Sequence, residues 1–179
     1  MNKRTPAHLV LKSAVLFLSL LCFYPLSATN PQKKEMKELN VKKVSLANVA
    51  VENVPALLDK EKVDFQSINT VNWKAFPYQP EVQFRIAHTD DAILIHYKVK
   101  EASVRAVATG DNGAVWEDAC VEFFSIPAGD GIYYNVECNC VGTLLIGAGG
   151  GRSNREHAPQ EVMDKVQRWS RSEEHTSEL

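Results

Sequence analysis

Between Val82 and Gly147 the chain repeats one pattern: short runs in which apolar residues fall at every second position, broken by turn residues. A period of two belongs to extended backbone, whose successive side chains point to opposite faces. Val82, Phe84 and Ile86 alternate with Gln83 and Arg85. Ile93, Ile95, Tyr97 and Val99 alternate with Leu94, His96 and Lys98. Thr89-Asp90-Asp91 between the two runs reads as a tight hairpin connection. A second hairpin pairs Cys120 to Ile126 with Ile132 to Cys140 across Pro127 to Gly131, and Thr143 to Gly147 reads as a further strand entered through Gly142. Short strands with turn signals at this spacing predict an all-β fold, an antiparallel β-sandwich or jelly roll. Helix is expected only at Ala56 to Lys60 and at Gln160 to Trp169, the latter with Val162, Val166 and Trp169 on one side. Trp73 to Pro80, punctuated by prolines, is expected to pack across a sheet edge.

The two ends read differently from the middle. Lys3 and Arg4 precede an apolar run from Ala14 to Tyr24, and Ser27-Ala28 closes it. That is the pattern of a secretory signal over residues 1–28, too short to span a bilayer. Acylation at Cys22 is the less favoured variant, because Leu21 stands where a small residue is expected. Residues 29–43 are polar and Lys/Glu-rich and read as a flexible lead-in. Residues 171–179, RSEEHTSEL, match the translation of a sequencing-library adapter. The expectation is therefore one sandwich domain over 44–170, incomplete at its C-terminus. Setting aside Lys3, Arg4, Lys12, Arg171, Glu173, Glu174 and Glu178 leaves 16 of 20 basic and 19 of 22 acidic residues. That balance gives no electrostatic reason to expect nucleic acid. Cys120, Cys138 and Cys140 lack zinc-ligand spacing and read as small buried thiols.

The chemistry concentrates between Val115 and Asn139. Tyr133, Asn135, Glu137 and Asn139 share one face of their strand, and Tyr134, Val136, Cys138 and Cys140 share the other, which is expected to be the buried one. With Val121 and Phe123 in the core, Glu122 joins the polar face. Trp116 stands at a loop–strand junction behind Asp111-Asn112-Gly113. An aromatic plate beside fixed carboxylates and amides suits a saccharide: the ring takes its apolar side and the polar groups take its hydroxyls. Trp73 and Trp169 read as packing residues. Trp116, Glu122, Asn135, Glu137 and Asn139 are thus the candidate ligand-binding set, with no catalytic residue required.

The sequence also holds residues suited to other chemistries. Glu122 and Glu137 facing the same way could form the carboxylate pair of a glycoside hydrolase. His88, His96, His157 and Met163 could in principle hold haem, but none has a diagnostic setting. GAGGGR at Gly147 to Arg152 trails a strand in an all-β pattern and is no nucleotide loop. Glu117, Asp118 and Asp130 could serve calcium, although turn-solvating acids are the plainer reading.

VWEDACVEFF followed by YYNVECNCVGTLL resembles the family 9 carbohydrate-binding modules, particularly stand-alone secreted versions from Bacteroides-type bacteria. WKAFPYQPEVQFRIAH and ILIHYKVKEASVRAV are similar to the same family, so the likeness spans about Val63 to Trp169. It implies a jelly-roll sandwich that grips sugar ends in a slot between two tryptophans, helped by Glu, Asn, Gln and Arg; several members also hold calcium. Trp116 matches one slot tryptophan and Glu122 the hydrogen-bonding glutamate. The second tryptophan is expected further toward the C-terminus. The resemblance implies an exported module that binds oligo- or polysaccharide in polysaccharide capture or breakdown.

Overall fold

The computed structural model describes residues 38–45 and 49–171. The secretory-signal reading, Cys22 and all of the adapter-like tail after Arg171 lie outside the described residues. The described residues from Leu39 onward form one compact unit.

Two four-stranded sheets make up that unit. The first is built on a long hairpin, β3 (Glu81–His88) and β4 (Ile93–Lys100), paired antiparallel from Glu81↔Lys100 to His88↔Ile93. Thr89 closes the turn: its hydroxyl accepts the amides of Asp91 and Ala92. On the other side of β3 lie two short strands. β1 (Lys42–Lys43) runs parallel beside Ala87 and His88, and β2 (Gln66–Ile68) runs antiparallel beside Val82 to Phe84. The lead-in expected over 29–43 therefore ends in a strand, because the parallel ladder captures Lys42, Lys43 and the amide of Val44, which donates to His88 O.

Helix α1 (Val54–Lys60) covers one face of this sheet. Pro55 suits its first turn, where an amide has no partner to lose. It stops at Lys62, in the left-handed region at φ 55°, while the amides of Lys62 and Val63 return to Asp59 O and Leu58 O. That reciprocal pair closes the orphan carbonyls of the last turn. Leu58 is fully buried and meets Val44, Ala87 and Leu94 in the first core. Removing Leu58 or Leu94 from water is worth about 2 kcal/mol each. The helix lies over the Arg85/Ala87 face, not over the apolar stripe of Ile93 and Val99, which stay exposed. Arg85 is consequently buried, and it is fully answered: Nη1 reaches Asp59, Nη2 donates to Pro55 O, Nε donates to His96 Nδ1, and the guanidinium stacks on Phe65.

The second sheet runs β5 (Cys120–Ser125), β6 (Tyr133–Asn139), β7 (Leu144–Gly149) and β8 (Glu156–His157), all antiparallel. Gly129, Gly131 and Gly142 all take positive φ at its turns, where glycine carries no steric penalty. From Leu144 to Gly147 every residue of β7 is buried, as befits a central strand covered on both faces. Helix α2 (Gln160–Met163) is shorter than the sequence pattern implied and inserts Met163, not Val162, against Leu144 and Ile146. Tyr97 joins the sheets, its hydroxyl donating to the backbone carbonyl of Glu122 at 3.3 Å. Trp73 and Trp169, expected as packing residues, are 69% and 48% exposed. In the proline-punctuated segment Phe76 is exposed like Trp73, while the Tyr78 hydroxyl accepts the amide of Ala102 and Gln79 Nε2 donates to Asn69 O.

Candidate functional site

Register places Glu122 directly opposite Glu137, Cys120 opposite Asn139, and Phe124 opposite Asn135. The two glutamates therefore share a face, as alternation required. On β6 the expectation that this face is the open one is overturned: Asn135, Glu137 and Asn139 are buried, at 0%, 4% and 3% exposure, whereas Tyr134 on the opposite face is 40% exposed; on β5 Glu122 is exposed as expected. The cover comes from parts of the chain remote in sequence. The segment from Arg105 to Asp118 lies over Asn139, and Arg155 lies over Gly147, which pairs with Asn135.

Asn139 is spent within the protein. Its Nδ2 donates to Ala108 O and Asp118, and its Oδ1 accepts the amides of Val141 and Thr143. Asp118 accepts the amides of Val107 and Ala108 as well, and these bonds hold its carboxyl below the ordinary range. Asp130 likewise accepts the amide of Ile132. Both acids are thereby turn and loop anchors in the described structure.

The same anchoring presents Trp116. Asp111 accepts the amide of Leu144 and grips Arg168 through two bonds, and Asn112 exchanges bonds with Ile146 and Ala158. A short 3-10 helix, Val115–Glu117, follows and packs on β5 and β6. Val115 plugs into the interior at 0% exposure, and the next residue must then point out: Trp116 is 56% exposed.

On β5, six residues further along the chain, Glu122 is exposed, and Glu137 stands opposite it on β6, buried. Partial burial, followed by the charge of Glu137, raises the pKa of Glu122, while Arg155 and Arg152 pull it back. Burial and the two glutamates push the Cys120 thiol up to about 12. Asn135 Nδ2 donates to Glu137 Oε1 at 2.6 Å. That leaves Asn135 Oδ1 and Glu137 Oε2 as buried oxygens with no partner among the described residues. Such orphans are costly and mark a place prepared for a donor or a cation. Sequence reasoning missed Arg155 and Cys120 here. Cys120 was legible by alternation with Glu122; Arg155 had no signal, because β8 is only two residues long. GAGGGR has a structural purpose instead: a Cβ on Gly149 would stand 2.6 Å from Asn154 O, so glycine admits the returning chain that carries Arg155.

The site is open at Trp116 and Glu122 and covered along β6. Surface hollows lie elsewhere, beside Lys43 and Asp90 and beside Tyr78 and Lys100. Residues 52–178 match the sequence profile of carbohydrate-binding family 9.

The chain belongs to carbohydrate-binding family 9.

It is also 61% identical to a candidate carbohydrate-binding protein from Bacteroides uniformis whose crystal structure is known, with a TM-score of 0.71. That likeness covers 73% of this chain and 61% of the other. No curated protein sequence matches the chain. Membership in family 9 agrees with the two-sheet all-β architecture. No described helix is long and apolar enough to cross a membrane.

Proposed function

We propose that this family 9 chain binds oligo- or polysaccharide without cleaving it, as an exported module acting in polysaccharide capture or breakdown. Trp116 stacks on the apolar side of a sugar ring and Glu122 accepts its hydroxyls. Asn135 and Glu137, buried on β6 opposite Phe124 and Glu122, back the surface from within instead of meeting the sugar directly. Asn139 leaves the ligand set, because all its polar atoms are committed to the loop. The observation that carries the reading is a 56% exposed indole on a short helix packed on β5 and β6, the strand pair that also bears the outward carboxylate of Glu122. Stacking and a few charge-assisted hydrogen bonds contribute on the order of 1–3 kcal/mol each, which suits reversible capture. Electrophoresis of the purified chain through gels containing soluble polysaccharides tests the idea. Retardation by at least one glycan is expected; unchanged mobility across a broad panel defeats it.

One observation favours a second reading, a glycoside hydrolase: acceptor atoms of Glu122 and Glu137 lie within 4.8 Å of each other, near the spacing of a retaining pair. Burial of Glu137 behind Glu122 weighs against it, since a nucleophile must reach the anomeric carbon. Release of reducing sugar from a bound polysaccharide, abolished in Glu137→Gln, would establish the enzyme instead.

A further inference from the structure

We infer that Cys120, Glu122 and Glu137 form a binding site for a divalent transition metal ion of the zinc class, with Asn135 as a supplementary oxygen donor. One ligand atom from each of the three residues lies within 4.8 Å of the others. This is not a surface cluster of acids, for two independent reasons. One member is a thiol, half-buried on the same strand face. Beside it stand two unpartnered oxygens, Glu137 Oε2 at 4% exposure and Asn135 Oδ1 at 0%, on residues bonded to each other through Asn135 Nδ2. Two carboxylates facing each other across neighbouring strands repel, and a cation held between them removes that cost. An orphaned amide oxygen beside them is an acceptor that a metal satisfies and a second carboxylate does not.

The donor set selects the ion. Calcium and magnesium take oxygen only, whereas a thiolate with carboxylates suits a borderline ion such as zinc or cobalt. Ligand atoms around a tetrahedral zinc lie roughly 3.5 Å apart, so the three side chains close the site by moving roughly 1 Å. Coordination through sulfur expels the thiol proton to solvent, giving a metal–thiolate bond and one released proton. Arg152 and Arg155, which act on Glu122, stand on the β8 side and neutralise part of the same charge, so the ion competes with them for the carboxylate. The inference does not rest on the carbohydrate reading, and its readout needs no sugar.

Cobalt(II) titration of the reduced chain tests it. Thiolate-to-cobalt charge transfer gives an absorption band that carboxylates alone cannot produce. A one-to-one band is expected in the triple variant Cys22→Ser/Cys138→Ser/Cys140→Ser, which keeps Cys120 as its sole cysteine of the four. Zinc should erase the band, and Glu137→Gln should weaken binding at least tenfold. No band in the triple variant, with its circular dichroism matching the wild-type chain, overturns the proposal. Equally, a band in the triple variant whose affinity is unchanged by Glu137→Gln overturns it.

Discussion

Asn139 shows how one side chain can stand in the middle of an apparent binding row and yet serve the fold. Its amide joins the end of β6, the turn to β7 and the loop that carries Asp118. Asn139→Ala would leave buried amides and a carboxylate unanswered, and a loss of about 3 kcal/mol is expected. Urea denaturation checks this; an unchanged midpoint would show that the loop holds itself. Alternation had put Glu122 and Glu137 on one face correctly. It could not say that Asn135, Glu137 and Asn139 are covered, because their cover comes from Ala108, Asp118 and Arg155, far away in sequence. His96 carries a second residue-scale prediction. Burial and the adjacent Arg85 lower its pKa from 6.5 to about 4, and Nδ1 accepts from Arg85 only when that nitrogen is unprotonated. The unfolded chain then binds the proton more readily than the folded one. Stability is fully present above pH 6.5 and falls as the pH drops toward 4. After discounting for the solvent-facing part of the ring, about 1–2 kcal/mol should be lost across that window. Melting temperatures between pH 7 and 4.5 should decline for the wild-type chain and stay flatter for His96→Gln.

At the scale of elements, the long strands were readable because both of their faces carry a clear period. β3 to β7 fall close to where the alternation put them. β1, β2 and β8, with two or three residues each, leave no periodic trace and exist because a neighbouring ladder recruits them. The short helix α2 is a related case: its apolar spacing continued to Trp169, but Met163, with Val166 beyond the helix, packs against Leu144 and Ile146. β8 depends on Gly149, whose missing side chain lets Asn154 and Arg155 approach β7. Gly149→Ala should displace β8 and cost about 2 kcal/mol, the usual penalty of forcing an atom into a filled space. The matching observation is faster amide exchange at Gly147 and Ala148, the residues paired with β8. Exchange rates equal to the wild type would show that the contact yields without strain.

For the molecule as a whole, two sheets with separate cores meet through Tyr97, and the proposed ligand face lies on β5 and β6. The fold class followed from strand spacing. The family followed from the motifs around Trp116 and the second hairpin, and residues 52–178 match it. What spacing could not provide was exposure of the tryptophans: Trp73, Trp116 and Trp169 are all open to solvent, and Trp116 stands on the short helix that packs on β5 and β6 and is anchored by Val115. Calorimetric titration of the best-retarded polysaccharide into the wild-type chain and into Trp116→Ala tests that indole's role most directly. The account predicts saturable binding without hydrolysis in the first. In the second it predicts affinity reduced at least tenfold, with the melting temperature unchanged because the indole buries little. Equal affinity in the two proteins would contradict it.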